Sequence, residues 1–209
     1  MILTIWKKSD KDRNCLIKIE ISVWGTLPEK VLRTLFHYHI GSIDITDSEA
    51  KFLQDELQRT AWKKLLDWLS RQEHSVLESK SYLKKYQFHS SIIELCISEA
   101  LKKNYIDDTR YCRMLIESLL IRQKSPFQIK TKMIEKRLPA NMWEPILEEL
   151  SVPEEQKSIL KTQAEKAFQR YCRLDQRDCY DKCLSALYRK GFDMDDARDV
   201  LIKIIWPKK

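Results

Sequence analysis

Four histidines, six cysteines and a few paired acids are the residues of this 209-residue chain whose types could do chemistry. His37 and His39 stand two apart, and His74 and His89 stand alone, with no nucleophile–base spacing around them, so surface or structural roles suit them. Cys172, Cys179 and Cys183 invite a metal reading, because 179 and 183 share a helix face. That part of the chain has no Cys-x-x-Cys pair and no histidine, so a four-ligand zinc site would lack its fourth soft ligand, and buried reduced thiols are expected instead. Asp107-Asp108 and Asp195-Asp196 fall at expected helix starts, where the helix dipole favours negative charge. Gly-rich phosphate loops, G-x-S-x-G and H-E-x-x-H are all missing from the sequence. The sequence predicts no catalytic residue, no metal and no cofactor.

Basic side chains are the other candidates. Arg122, Lys124, Lys130, Lys132, Lys136 and Arg137 face Glu135 alone between residues 121 and 137, whereas residues 138 to 156 hold five glutamates and no base. Such polarity suits an edge that meets nucleic-acid phosphate or an acidic protein surface; a solvated helix edge is the bland alternative. Lys132 and Lys136 are four apart and share a helix face, while Lys130 lies between the core directions of Ile129, Met133 and Ile134. No aromatic run suggests base stacking.

The elements that must carry these residues are mostly helices. Only 3 Gly and 6 Pro are present, too little turn chemistry for an all-β or doubly wound α/β chain, and 43% hydrophobic content is enough for a core. The first 25 residues differ: Ile2 to Trp6 and the alternating run Cys15 to Trp24 read as a β-hairpin. Pro28 then opens a helix through Val31, Leu32, Leu35 and Phe36 that Gly41 stops, and Thr46-Asp-Ser-Glu49 is a capping box opening another. No window reaches the roughly 20 apolar residues of a membrane span, and the amino terminus does not read as a signal peptide, so a cytoplasmic protein with no membrane contact is expected. The formal charge is +7, with the excess beyond residue 50.

Past residue 60 the chain repeats. Ser75, Leu83, Phe88, Ile92, Ile93 and Cys96 return 50 residues later as Ser125, Met133, Leu138, Met142, Trp143 and Ile146, and 54 later again as Cys179, Leu187, Phe192, Asp196, Ala197 and Val200. A period near 50 with helical spacing inside it predicts tandem three-helix units. The expected organisation is an amino-terminal hairpin and helix module over 1–58, then three-helix units over 59–106, 107–152 and 153–209. Ser125-Pro126-Phe127-Gln128 is the best-specified helix start, and Gly191 the clearest stop.

These residues resemble the RecX family of regulators of the RecA recombinase. The resemblance rests on Tyr105-Ile-Asp-Asp-Thr-Arg-Tyr-Cys112 at the entry to the second unit, Ser75 with Tyr82-Leu83-Lys-Lys, Ile129 with Met133, and Leu187-Tyr-Arg-Lys-Gly-Phe192 in the third unit. Lys132 departs from the family's usual glutamate, and Gln87 and Arg137 stand where a glycine usually ends the middle helices. The resemblance implies a monomeric, non-enzymatic regulator that binds the RecA filament on single-stranded DNA, with weak direct contact to DNA, and inhibits its assembly and ATPase. It adds Arg189 and Lys190 of the third unit's corner to the contact candidates. Lys132→Glu with Lys136→Glu is then expected to weaken filament binding about tenfold, with Lys161 and Lys166 as a charge control. The alternatives are a stand-alone nucleic-acid-binding helical module and a helical adaptor for another protein.

Overall fold

The computed structural model describes residues 1–9, 11–35 and 40–206. Phe36, His37 and His39 lie outside the described residues. The chain forms two compact halves, Met1–Asp107 and Asp108–Lys209.

The amino-terminal half opens with β1 (Ile2–Trp6), β2 (Asn14–Ile19), β3 (Ser22–Pro28), α1 (Glu29–Leu35) and β4 (Gly41–Asp44). The strands make one antiparallel sheet in the order β3-β2-β1-β4. Alternation decides its faces: Leu3 pairs with Ile19 and Ile5 with Ile17, all four buried, while Thr4 and Trp6 point the other way. The run Cys15 to Trp24, expected as one strand, turns back at Glu20, whose φ of 54° places it in the left-handed region, so the run contributes two strands. The turn had no Gly, Pro or Asn to announce it in the sequence. Pro28 closes β3, α1 starts at Glu29, and Gly41, expected as a helix stop, opens β4.

Three helices complete this half: α2 (Asp47–Leu69), α3 (Val76–Lys85) and α4 (Ser90–Lys102). Thr46 caps α2 through the capping box with Glu49, and Ser75 caps α3 by accepting from the Glu78 amide. The 58/59 boundary falls inside α2, which buries Leu53 and Leu57 on one side of it and Ala61 and Leu65 on the other, in the core shared with Leu3, Ile17 and Ile93. Strand β3 approaches this core closely. A Cβ on Gly25 would lie 2.6 Å from a ring carbon of Phe88 and 3.1 Å from Leu57, and Trp24 stacks on His89 while its carbonyl accepts from the His89 amide. His74, 5% exposed, stacks on Trp68.

The carboxy-terminal half holds α5 (Asp108–Ile121), α6 (Pro126–Glu135), α7 (Ala140–Leu150), α8 (Pro153–Tyr171), α9 (Gln176–Arg189) and α10 (Met194–Ile205). Its apolar residues form two clusters, one among α5, α6 and α7 around Ile116, Ile129, Met133 and Trp143, and one among α8, α9 and α10 around Ala164, Cys183, Leu187 and Leu201. Arg113 on α5 reaches Glu149 on α7 through two hydrogen bonds, at 2.9 and 2.7 Å, and the guanidinium holds that carboxyl below its ordinary range.

The repeat is visible residue by residue. Leu83, Met133 and Leu187 are each fully buried and each lie two residues before the last residue of α3, α6 and α9. The residues that follow those helices, Gln87, Arg137 and Gly191, all have positive φ, at 58°, 55° and 72°. The same backbone turn therefore recurs whether or not a glycine is there to make it cheap.

Candidate functional site

The basic residues singled out from the sequence divide by element. Lys124 sits half-buried in the short connection between α5 and α6, and Arg189 and Lys190 lie at the end of α9. Backbone geometry fixes these positions. Gln123 is left-handed with φ 57°, and its turn is closed by Gln123 N–H to Leu120 and Lys124 N–H to Leu119. Ser125 then caps α6 in a capping box with Gln128, and its hydroxyl donates to the Lys190 carbonyl, tying the start of α6 to the end of α9. Gly191 lies against the Phe127 ring, where an added Cβ would fall 2.3 Å from ring and side-chain carbons.

Around that knot the polar side chains form a chain of contacts. Gln163 of α8, 9% exposed, donates through Nε2 to the Gln123 carbonyl at 3.1 Å and accepts through Oε1 from Lys190 Nζ at 2.6 Å. Lys166, one turn along α8, donates to Gln123 Oε1 at 2.7 Å. Partial burial first, and then the charges of Lys124, Arg170 and Lys166, push the Lys190 ammonium below its ordinary pKa. Gln163, Lys166, Arg170, Tyr171, Arg189 and Lys190 line a hollow of about 370 Å³ that has no acidic residue in its wall. A second hollow meets it at Arg189 and is lined by Lys124, Phe127, Thr131, Lys132 and Glu135.

Four of the eight sequence-named residues, Lys124, Lys132, Arg189 and Lys190, thus line one pair of adjoining hollows. Within the pair, Lys132 is engaged with Glu135 at 2.8 Å. Lys130 lines a different depression with Glu144 and Glu148, Lys136 caps the end of α6, and Arg122 and Arg137 are exposed at helix ends. The sequence reading missed Gln163 and Arg170, and it assigned Lys166 to a charge control although the side chain belongs to the junction. Their signal was present: 163, 166 and 170 follow the 3-and-4 spacing of one helix face. What the spacing could not give was the return of α9 onto that face. In the amino-terminal half, the hollow between α2 and α4 mixes Asp55 and Glu99 with Arg59 and Lys102 and has no such single-signed character.

The family description "RecX, third three-helix domain" matches residues 154–201, the stretch that carries α8 and α9 and most of α10. A regulatory protein RecX from Streptococcus gordonii is 28% identical over 200 residues, covering 94% of this chain and 75% of the relative. Over most of its length the chain is thus similar to regulatory proteins named RecX. A RecX from Streptococcus sanguinis is 29% identical over 159 residues, across 75% of this chain and 60% of its own length. Among solved structures, one described as regulatory protein RecX superposes with a TM-score of 0.66 at 21% identity, covering 95% of this chain and 98% of the other. RecX from Lactobacillus salivarius superposes with a TM-score of 0.61 at 24% identity, over 70% of this chain and 96% of that one. These two show that the RecX fold, with its small strand sheet and run of helices, is the fold of this chain. Both Streptococcus relatives carry the name of a regulatory protein.

Proposed function

We propose that the chain regulates RecA by binding its filament on single-stranded DNA and inhibiting filament assembly and ATPase activity, without chemistry of its own. The observation that carries this reading is the acid-free basic hollow between α8 and the end of α9, beside the start of α6, in a chain similar to RecX proteins over most of its length. Cations that have no carboxylate partner among the described residues, two of them (Lys166 and Lys190) held by glutamine side chains, suit a polyanionic partner better than solvent alone. Tandem units suit a repeating partner, because several weak contacts on one chain add through effective concentration. The reading divides the chain into an amino-terminal module over 1–58 and units over 59–106, 107–152 and 153–209. It takes the chain to act as a cytoplasmic monomer. Arg122, Lys124, Lys130, Lys132, Lys136, Arg137, Arg189 and Lys190 are the candidate contacts, now joined by Lys166 and Arg170.

Co-sedimentation with RecA filaments on single-stranded DNA tests this. The parent chain is expected in the pellet, Lys124→Glu with Lys190→Glu is expected to weaken its association about tenfold, and Lys161→Met with Lys182→Met is expected to have no effect. A parent chain that stays in the supernatant overturns the reading. The same basic hollow favours a second reading, a stand-alone nucleic-acid-binding module. There the chain would bind bare DNA with the steep salt dependence of phosphate contacts and show no preference for filaments.

A further inference from the structure

We propose that the hollow formed by α8 and the end of α9 binds one phosphate group, either free or as part of a nucleic-acid backbone; the proposal deepens the reading of this junction as a contact surface and is tested without RecA. Four observations lead to a phosphate.

The first is placement. Lys190 is held by an amide that is itself held: Gln163 Nε2 is committed to the Gln123 carbonyl, so Oε1 faces the ammonium. An ammonium has three donors, and one of Lys190's is used by that contact. The second is crowding. Lys166 and Arg170 from α8 and Lys124 from the α5–α6 connection all act on Lys190, and among the described residues none of Lys124, Arg170, Arg189 and Lys190 is in an ion pair with a carboxylate. The fold thus gathers like charges that repel one another, and an anion bound among them would reverse the sign of that cost.

The third is the number and direction of donors. Cations reach the hollow from two faces, α8 with Lys166 and Arg170 and the α9 corner with Arg189 and Lys190. A carboxylate is planar, whereas a phosphate is tetrahedral and accepts from several directions at once; a backbone phosphate carries one charge and free phosphate up to two near neutral pH. The fourth is exchangeability. Lys166 is parked on the neutral side-chain oxygen of Gln123, a weaker partner than an oxyanion, so it can move to an incoming phosphate without breaking an ion pair.

The test uses the full chain and two probes, inorganic phosphate and a twelve-residue oligothymidylate, at ionic strength held constant with chloride. Phosphorus NMR line broadening reports phosphate, and fluorescence anisotropy reports the oligonucleotide. The parent is expected to bind phosphate saturably, and the oligonucleotide is expected to displace it. Arg170→Met, an exposed change outside the core, and Arg170→Met with Lys190→Met are each expected to weaken binding, the double variant by about tenfold or more. Lys161→Met with Lys182→Met should bind as the parent does. Oligonucleotide binding that falls in the double variant, without detectable free phosphate binding, supports the site with the nucleic-acid backbone as its source. If neither probe binds, or if the Arg170 variants bind both probes as well as the parent, the proposal is wrong. That result would leave filament co-sedimentation as an independent question.

Discussion

At Lys190, partial burial and the charges of Lys124, Arg170 and Lys166 lower the ammonium's pKa from 10.5, so the folded chain holds that proton less tightly than the unfolded chain. Stability contributed by this residue therefore rises as pH climbs through the depressed folded-state value and levels off near 10.5. Urea unfolding of the parent and of Lys190→Met in alkaline buffers is expected to show a steeper rise for the parent; parallel curves would refute the assignment. The cysteines give a second test at this scale. Burial pushes the Cys96 thiol up to about 11 and the Cys183 thiol up to about 12, and Cys15, Cys112 and Cys179 are also buried, whereas Cys172 is exposed. Since the thiolate is the reactive form, a thiol reagent added to the native protein is expected to label Cys172 fast and the other five only on unfolding. Rapid loss of two or more thiols would contradict the burial pattern.

The middle helices of the three-helix units make their argument at the level of elements. Gln87 and Arg137 adopt the left-handed turn that Gly191 adopts in the third unit, and side chains pay about 1 kcal/mol or more there that glycine does not. Gln87→Gly and Arg137→Gly are each expected to raise stability by roughly 0.5–1 kcal/mol in chemical denaturation. Gly191→Ala meets both a positive φ and the Phe127 ring, so it is expected to cost about 2–3 kcal/mol, with lost stability measurable in the same experiment. A Gly191→Ala protein as stable as the parent would mean that the α6–α9 contact is not formed in solution.

Helix starts were the most legible part of the sequence, since Thr46, Ser75 and Ser125 each cap through side chains three residues from their partners. The offsets of 50 and 54 located Leu83, Met133 and Leu187 because burial forces the same residue class at the same place. Strands were less legible. The Glu20 turn has no turn residue to mark it, and β4 depends on pairing with β1 some 40 residues away, which local pattern does not encode. The junction was half legible for the same reason: charge density marked Lys124 and the family resemblance marked Lys190, but Gln163, Lys166 and Arg170 acquire meaning only when α9 returns to α8.

For the whole molecule the proposal is that this chain, with its RecX-like fold and basic hollow, restrains RecA. Nothing in that claim requires strong single contacts, since an exposed ion pair contributes only about 0–1 kcal/mol and several must act together. The measurement that bears on it most directly is the single-stranded-DNA-dependent ATPase rate of RecA from the same organism, with this chain titrated in at concentrations below that of RecA. The parent is expected to suppress the rate at these substoichiometric amounts, Lys124→Glu with Lys190→Glu to need about tenfold more protein, and Lys161→Met with Lys182→Met to match the parent. An ATPase rate unchanged by the parent chain at equimolar concentration would contradict the account.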